Sequence, residues 1–471
     1  MIKGIGLTAF SSIYIVGIQL CLLAVSARIL ETSELGIISI CGAILALSTL
    51  FIDSGLATFV IYKRDLSRKE LNALLVITFI VSCVVFSIVF VAAHFIEDFF
   101  LAEGLKEVIV IYSMSFLLSP MISQFQSILV LKQMLSTLAV ADVLSKTLGF
   151  ILSVTLMLFE YGALSIAWGI VLASASKIML MYFWLPREYK ISKGVDLSII
   201  NEAYDYCKFQ FGGQFLNYVN MYIDIFIIGR MFGIEQLGIY SLARDLIGKI
   251  PAVLGPLYGK VILPLMSKVK NDLDVRKEIF NKSNLIIILI NTLTYSSVSI
   301  MSICIVEILY GYDSNVSEVI VILSLYYMIR SYGMINGFYL QSIGKVGREF
   351  YWNLFVFIVY PVMMYIFSLQ GFYYFLWCMV IFQLVLTFGL YIFFHWGNYP
   401  VVFFDYYLSV FCALAISFLG IAVNYEFIGF ELKELSIVVV LVVNVALCAL
   451  FYKFIGKVDG FKYWYSALSK N

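Results

Sequence analysis

Residues Tyr218–Lys270 read YVNMYIDIFIIGRMFGIEQLGIYSLARDLIGKIPAVLGPLYGKVILPLMSKVK. Two long apolar runs meet at the short connection Arg230–Glu235, and both carry ionisable side chains. Asp224 lies in the first run; Arg244, Asp245, Lys249 and Lys260 lie in the second. On a soluble helix these charges would form a solvated stripe, but the flanks here are too apolar for that. An ionisable group in hydrocarbon is costly unless it faces a bundle interior or water. The second run also holds Gly248, Pro251, Gly255, Pro256, Gly259 and Pro264, breakers tolerated at membrane depth where the backbone packs on other helices or lines a cavity. The stretch therefore reads as a polar-lined, bendable pair of transmembrane helices.

The whole chain agrees with this reading. Its 471 residues are 62% hydrophobic and 13% charged, with a mean hydropathy of +0.98, the composition of an all-α polytopic membrane protein. A net charge of +1 supplies no basic field for nucleic acid. His94 and His395 are far apart and have no cysteines at ligand spacing, so neither zinc nor haem is expected. The eight cysteines contain no C-x-x-C pair and mostly lie in apolar runs, so they read as small buried hydrophobes, not a disulfide framework. Lys3 followed by an apolar run, with Arg28 and more apolar sequence directly after Ala27, reads as a retained first span in preference to a cleaved signal.

At about 20 apolar residues per span, the sequence holds about 14 helices. Expected spans are 9–29, 36–60, 71–95, 108–131, 138–158, 162–185, 209–230, 236–264, 283–309, 317–341, 350–369, 372–394, 401–423 and 435–455. With the N-terminus in the cytoplasm, that side collects about 21 of the 31 Lys and Arg residues, and the opposite loops keep only Arg28, Lys106, Arg230 and Lys433. The same count puts the C-terminus in the cytoplasm.

The stretch around Arg230 has a counterpart at the start of the chain. Arg28-Ile-Leu-Glu-Thr-Ser-Glu-Leu-Gly-Ile37 returns as Arg230-Met-Phe-Gly-Ile-Glu-Gln-Leu-Gly-Ile239, with Ser39 in register with Ser241. In each copy an Arg closes one helix and Leu-Gly opens the next. Six spans separate the copies, an even number, so both halves enter the membrane in the same sense. This predicts a pseudo-two-fold axis along the membrane normal.

Arg28, Leu35-Gly36, Phe51-Ile-Asp53-Ser-Gly55-Leu56-Ala57, Asp224-x3-Ile228-Gly229-Arg230, Leu237-Gly238-x-Tyr240-Ser241-x-Ala243, Pro251 and Pro264 together form a signature. The chain resembles the polysaccharide-transporter branch of the multidrug/oligosaccharidyl-lipid/polysaccharide exporter superfamily, and within it the Wzx-type flippases of lipid-linked oligosaccharides. The resemblance implies two six-helix lobes around a central cavity that opens alternately to either face. On this layout residues 1–185 form the N-lobe, 186–208 a cytoplasmic linker, 209–394 the C-lobe, and 395–471 helices 13 and 14 with a cytoplasmic tail. The implied setting is a bacterial inner membrane, and the implied cargo an undecaprenyl-diphosphate-linked oligosaccharide. Membrane lipids, a glycan polymerase and a chain-length regulator are the implied partners, and Na+ or H+ is the implied coupling ion in place of any cofactor.

Such cargo needs a hydrated cationic cavity, because a diphosphate and a sugar must cross ~30 Å of hydrocarbon. The cations within spans are Lys146, Lys177, Arg244, Lys249, Lys260 and Arg330; Arg offers a planar fork to phosphate and Lys a mobile point charge. Each has a structural alternative. Asp142 and Lys146, and likewise Asp245 and Lys249, stand at i, i+4 and can pair locally, whereas Lys177 and Lys260 can reach toward the cytoplasm. Arg244 points about 100° from Asp245, and Arg330 has no acid within one turn. Arg28 and Arg230 read as interfacial anchors. Asp53 either lines the cavity mouth or binds across the lobes. The lipid II flippase relatives imply a sodium site made by a carboxylate on the seventh helix and polar groups on the eleventh and twelfth, which maps here to Asp224, Asn353 and Thr387. Proton titration of Asp224 and pairing of Asp224 with a cavity cation are the alternatives. Tyr218, Tyr222, Tyr240 and Tyr258 are available to stack on sugars.

No nucleotide-binding loop is present, so ATP drive within this chain is not expected. A drug antiporter of the same superfamily would favour an acidic cavity. A membrane-embedded glycan polymerase or ligase would carry a large extracytoplasmic loop with catalytic groups, and the expected outer loops are short. A scaffolding role in a glycan-assembly complex is compatible with transport.

Overall fold

The computed structural model describes residues 2–395, apart from 54, 64, 191–193, 269–272, 312–313 and 344–345, together with parts of 411–449. Among the described residues every regular element is helical. In chain order these are α1 (Ile2–Ile29), α2 (Thr32–Asp53), α3 (Leu56–Lys63), α4 (Arg68–Phe100), α5 (Leu105–Leu131), α6 (Leu135–Leu158) and α7 (Leu164–Trp184). After two short 3-10 turns follow α8 (Ile200–Met231), α9 (Ile234–Lys268), α10 (Leu273–Ile300), α11 (Ser302–Tyr310), α12 (Ser314–Tyr332), α13 (Met334–Ser342), α14 (Val346–Ser368) and α15 (Phe372–His395). Among the described residues eleven helical stretches are long and apolar enough to cross a membrane. The chain is an all-α polytopic membrane protein.

The expected spans map onto these helices with informative differences, and α8, which carries the seventh, is not one of the eleven apolar stretches. The second span is broken at Gly55, whose φ of 88° is open to glycine, so it becomes α2 and α3. The ninth span divides into α10 and α11 at Met301, and the tenth into α12 and α13 at Gly333. The seventh begins earlier than expected, at Ile200, because its first two turns are amphipathic: Ala203 and Cys207 are buried while Glu202 and Asp205 are exposed. α9 is a single helix despite Pro251, Pro256 and Pro264. The expected span 401–423 lies almost wholly outside the described residues, and of the span 435–455 the described part is helical within Val438–Leu447.

The chain forms two compact units, Met1–Leu242 with Val356–Leu369, and Ala243–Phe355 with Gln370–Asn471. In the first, α6 lies against α7 through small residues. A Cβ added at Gly149 would fall 2.7 Å from the Gly169 carbonyl oxygen, and one at Gly169 would fall 1.8 Å from Ser153 Oγ. Close backbone approach of this kind is how helices associate where lipid removes the hydrophobic drive. Phe59, Leu71, Leu74, Phe125, Ile128, Met181, Leu185 and Ile199 form a core at the end of this unit that carries the α7–α8 linker. α4 begins with a capping box, Ser67 Oγ accepting from the Glu70 amide and Glu70 accepting from the Ser67 amide. It turns Ile80, Val84, Ile88, Val91 and Phe95 outward, the apolar face a bilayer requires.

In the second unit α12 packs on α10 and α15, and a core is formed by Tyr258 of α9, Phe280 and Ile287 of α10, and Ile335 and Tyr339 of α13. Thr292 and Tyr332 share a buried hydrogen bond of 2.7 Å between α10 and α12. Asn444 Nδ2 donates to Ser297 Oγ at 3.0 Å, tying the last described helix to α10. The six described cysteines are free thiols, yet only Cys41 and Cys207 are buried and Cys21 is exposed. The expectation that they are mostly buried is corrected: in a membrane helix, a side chain facing lipid is as dry as a core one.

Candidate functional site

The two copies of the repeated stretch meet each other in the first unit. Thr32 and Gly36 open α2; Ile234 and Gly238 stand at the corresponding positions of α9, 202 residues on. A Cβ at Gly36 would fall 2.2 Å from the Ile234 carbonyl oxygen, and a Cβ at Gly238 would fall 1.8 Å from the Thr32 carbonyl oxygen. Each copy thus seats its glycine on the other's first helical turn, a reciprocal contact of the kind a two-fold axis generates. Beside this crossing is a cavity of about 410 Å3 at the starts of α2, α5, α7 and α9, lined by Ser33, Glu34, Glu103, Glu107, Tyr161 and Ile234 among others. The Glu34 carboxylate there accepts the Glu31 amide at 3.0 Å. Arg230 lies over the Phe99 ring, 5.1 Å from its centroid.

Asp224 is buried, at 6% exposure, about two turns before the end of α8. Its Oδ2 accepts the Tyr240 hydroxyl at 2.5 Å and its Oδ1 accepts the Ile225 amide at 3.0 Å. Tyr240 is 1% exposed, so its ring is not a sugar platform; the spacing of the signature serves this hydrogen bond. Tyr218 and Tyr222 stack on each other with centroids 6.1 Å apart, and Tyr258 is buried.

A second polar cluster lies inside the first unit between α5, α6 and α7. Lys177 Nζ is 2.7 Å from Asp142 Oδ1 and donates to Gln126 Oε1 at 3.0 Å. The two charged side chains are 17% and 26% exposed. Asp142 therefore has an ion-pair partner on a neighbouring helix, in addition to the Lys146 that stands one turn along its own. The same contact gives Lys177 an acid partner that its own helix does not supply. Gln126 was not singled out from the sequence; its signal was a pair of amides, Gln124 and Gln126, in an otherwise apolar run.

The remaining candidates lie in the second unit, except Lys146 and Asp53. Arg244 is buried and, with Lys249, is a charged neighbour of Asp245. Asp245 stands on an exposed face of α9, as does Lys260. Arg330 is exposed and donates from Nη1 to the Tyr326 hydroxyl at 3.3 Å. Asn353 is half-buried on α14, next to Trp352, whose ring covers Gly389 of α15. Thr387 is buried and gives its hydroxyl to the Gln383 carbonyl at 2.9 Å. Lys146 is exposed on α6, and Asp53 is the last residue of α2. Among the described residues no group of three His, Cys, Asp or Glu side chains could hold a metal ion.

The cytoplasmic linker of the sequence reading is strapped to the start of α4. Arg68 donates to the carbonyls of Arg187 at 2.6 Å and Lys190 at 3.1 Å. Asn72 donates to Gly194 at 3.0 Å, and the Asp196 amide donates to the Lys69 carbonyl at 3.1 Å.

Helices long and apolar enough to cross a membrane, two of which hold an ion pair between them, define a polytopic membrane protein. The model of the polysaccharide biosynthesis protein family matches residues 25–317, well over half the chain, and the chain belongs to that family. It is 25% identical over 301 residues to the amylovoran biosynthesis protein AmsL of Erwinia amylovora, covering 64% of this chain and 78% of that one. It is 23% identical to the lipopolysaccharide biosynthesis protein WzxC of Escherichia coli, covering 75% and 72%. It is also 23% identical to the teichuronic acid biosynthesis protein TuaB of Bacillus subtilis, covering 76% and 75%. Its fold is that of the lipid II flippase MurJ in an inward closed conformation, with a TM-score of 0.72, 13% identity and coverage of 95% and 99%. A multidrug-resistance MATE transporter shares the fold more distantly, with a TM-score of 0.55, 14% identity and coverage of 87% and 94%.

Proposed function

We propose that this chain is a flippase that carries an undecaprenyl-diphosphate-linked oligosaccharide repeat unit across the inner membrane of a bacterium by alternating access. The observation that carries the reading is a family member named for polysaccharide biosynthesis holding cations inside its membrane helices, Lys177 in the first unit and Arg330 in the second. Relatives named for amylovoran, lipopolysaccharide and teichuronic acid biosynthesis support a glycan cargo, and the fold shared with a lipid II flippase supports a lipid-linked one. Translocation makes and breaks no bond. What the protein must supply is a polar path for the diphosphate and sugar while the polyprenyl tail stays in lipid.

In this reading the chain has about 14 spans, with both termini in the cytoplasm, and two six-helix lobes, 1–185 and 209–394, joined by the linker 186–208. Arg244, Arg330, Lys249, Lys146, Lys177 and Lys260 receive the anionic head group, with Asp53, Asp142 and Asp245 as their acidic neighbours. Asp224, with Asn353 and Thr387, couples movement to a Na+ or H+ gradient. A glycan polymerase and a chain-length regulator receive the product.

The test is flipping of an undecaprenyl-diphosphate-linked oligosaccharide in proteoliposomes, with and without an imposed sodium or proton gradient. Wild type is expected to flip, and the Arg244→Ala, Arg330→Ala double variant to fold but not flip. Asp224→Ala is expected to lose the response to the gradient. Export of small cations with no movement of any lipid-linked glycan would overturn the reading.

A further inference from the structure

The ion pair between α6 and α7 is placed where a substrate anion would need its cation. Asp142 lies seven residues into α6, about 10 Å from the helix start at 1.5 Å per residue, and Lys177 lies seven residues before the end of α7. Both are thus well inside their spans, at the end that carries the linker. Neither is sealed in the protein interior: the Lys177 and Asp142 side chains keep exposures of 17% and 26%. Gln126 Oε1 holds the ammonium from a third helix, so the position of Nζ does not depend on Asp142 alone. Lys146 stands one turn further along α6, within i, i+4 reach of Asp142.

We propose that Asp142 is a built-in competitor for the anionic head group at Lys177: its carboxylate occupies the place of a substrate phosphate and is displaced when a diphosphate arrives. This rests on the flippase reading above and adds a regulating residue to it. A diphosphate brings more charge and more acceptor oxygens than one carboxylate, so at a half-buried ammonium it wins the exchange. Gln126 keeps Lys177 in position through the change. Lys146 is the cation to which the displaced Asp142 turns, so no carboxylate is left alone in the membrane. On the way out, Asp142 returns to Lys177 and helps to expel the anion. Its role is to limit affinity in favour of release, a balance any carrier must strike, since a site that binds too tightly does not turn over.

The experiment measures binding of undecaprenyl diphosphate, with undecaprenol as the uncharged control, to the full-length protein in nanodiscs. Flipping rates in proteoliposomes and thermal unfolding are measured beside it. Asp142→Asn is expected to bind undecaprenyl diphosphate roughly tenfold more tightly while its maximal flipping rate falls. Lys177→Gln is expected to bind roughly tenfold more weakly, and Lys177→Arg to keep near-normal binding. In the Asp142→Asn, Lys177→Gln double variant the gain from Asp142→Asn disappears, because the cation it exposes is gone. Asp142→Ser serves in the same role should the Asn variant not fold. Unchanged or weaker diphosphate binding in Asp142→Asn, with a loss of unfolding temperature equal to that of Lys177→Gln, would make the pair a structural clamp and overturn the proposal. Wild type binding undecaprenol as tightly as undecaprenyl diphosphate would instead bring down the flippase reading itself.

Discussion

Gly238 carries its backbone against the Thr32 carbonyl, and 202 residues earlier in the chain Gly36 does the same to Ile234, the residue that corresponds to Thr32. A methyl group at Gly238 would lie 1.8 Å from that oxygen, and at Gly36 2.2 Å from its counterpart. Both obstacles are backbone, so relief requires the two helix starts to part. Gly238→Ala and Gly36→Ala are each expected to cost about 1–3 kcal/mol, the range for overpacking a close contact. Because the first substitution already separates the turns, the second should cost less in its presence than alone. Thermal unfolding of the two single variants and the double variant checks this; strict additivity would mean that the contacts are independent.

Asp224 and Tyr240 separate two roles that one carboxylate can play. Tyr240→Phe removes a hydroxyl donated at 2.5 Å to a buried carboxylate and is expected to lower stability by about 1.5–3 kcal/mol, the range for hydrogen bonds to charged groups. Asp224→Asn keeps an acceptor for Tyr240 and should cost less, yet lose the ion-gradient response proposed for the carboxylate. If Tyr240→Phe also abolishes gradient coupling while remaining stable, the hydroxyl belongs to the coupling path as well as to the fold.

The repeat and the polar stretch around Arg230 were legible because each is local. An Arg at a helix end, a Leu-Gly at the next start and charges within an apolar run can be read without knowing what lies opposite. The partner of Asp142 was not. The i, i+4 rule sees only the residue's own helix and offers Lys146, whereas the ion pair with Lys177 arises from the glycine-mediated approach of α6 and α7. Tyr240 illustrates the same limit. Its place in the signature was visible, but an aromatic ring in a membrane helix reads equally as belt, sugar platform or hydrogen-bond donor until Asp224 is found 2.5 Å away. The breaks at Gly55 and Met301 were missed because span counting averages hydropathy over about 20 residues, and a single turn of irregular backbone does not change the average.

The linker strap depends on the shape of one side chain. Arg68 spans two carbonyls, those of Arg187 and Lys190, with nitrogens in a fixed planar fork that Lys does not possess. Arg68→Lys is therefore expected to resemble Arg68→Ala, with faster proteolytic nicking of the linker in both. Nearby, the Ser198 hydroxyl and amide hold the Asp196 carboxyl below the usual carboxylate range. A depressed folded-state pKa contributes stability that is present above the unfolded value, about 3.9, and is lost as pH falls through the folded one. Amide exchange at Ser198 should thus be protected at neutral pH and accelerate relative to its neighbours only below about pH 4. Asp196→Asn should abolish that pH dependence.

Gly149 and Gly169 decide whether Lys177 can reach Asp142 at all. The two glycines set the separation of α6 and α7, and Gly149 lies two turns beyond Asp142 on the same helix. At Gly149 a methyl would meet the Gly169 carbonyl at 2.7 Å and the Ala173 Cβ at 2.8 Å; at Gly169 it would meet Ser153 Oγ and the Gly149 carbonyl. Each alanine substitution is expected to cost about 1–3 kcal/mol. Ser153→Ala should rescue Gly169→Ala only in part, since the Gly149 carbonyl remains 2.7 Å from the new methyl. A wider helix pair also pulls the carboxylate from the ammonium, so Gly149→Ala should bind undecaprenyl diphosphate more tightly than wild type despite its lower unfolding temperature. A stability loss with no change in binding would show instead that Asp142 follows Lys177 as the helices part.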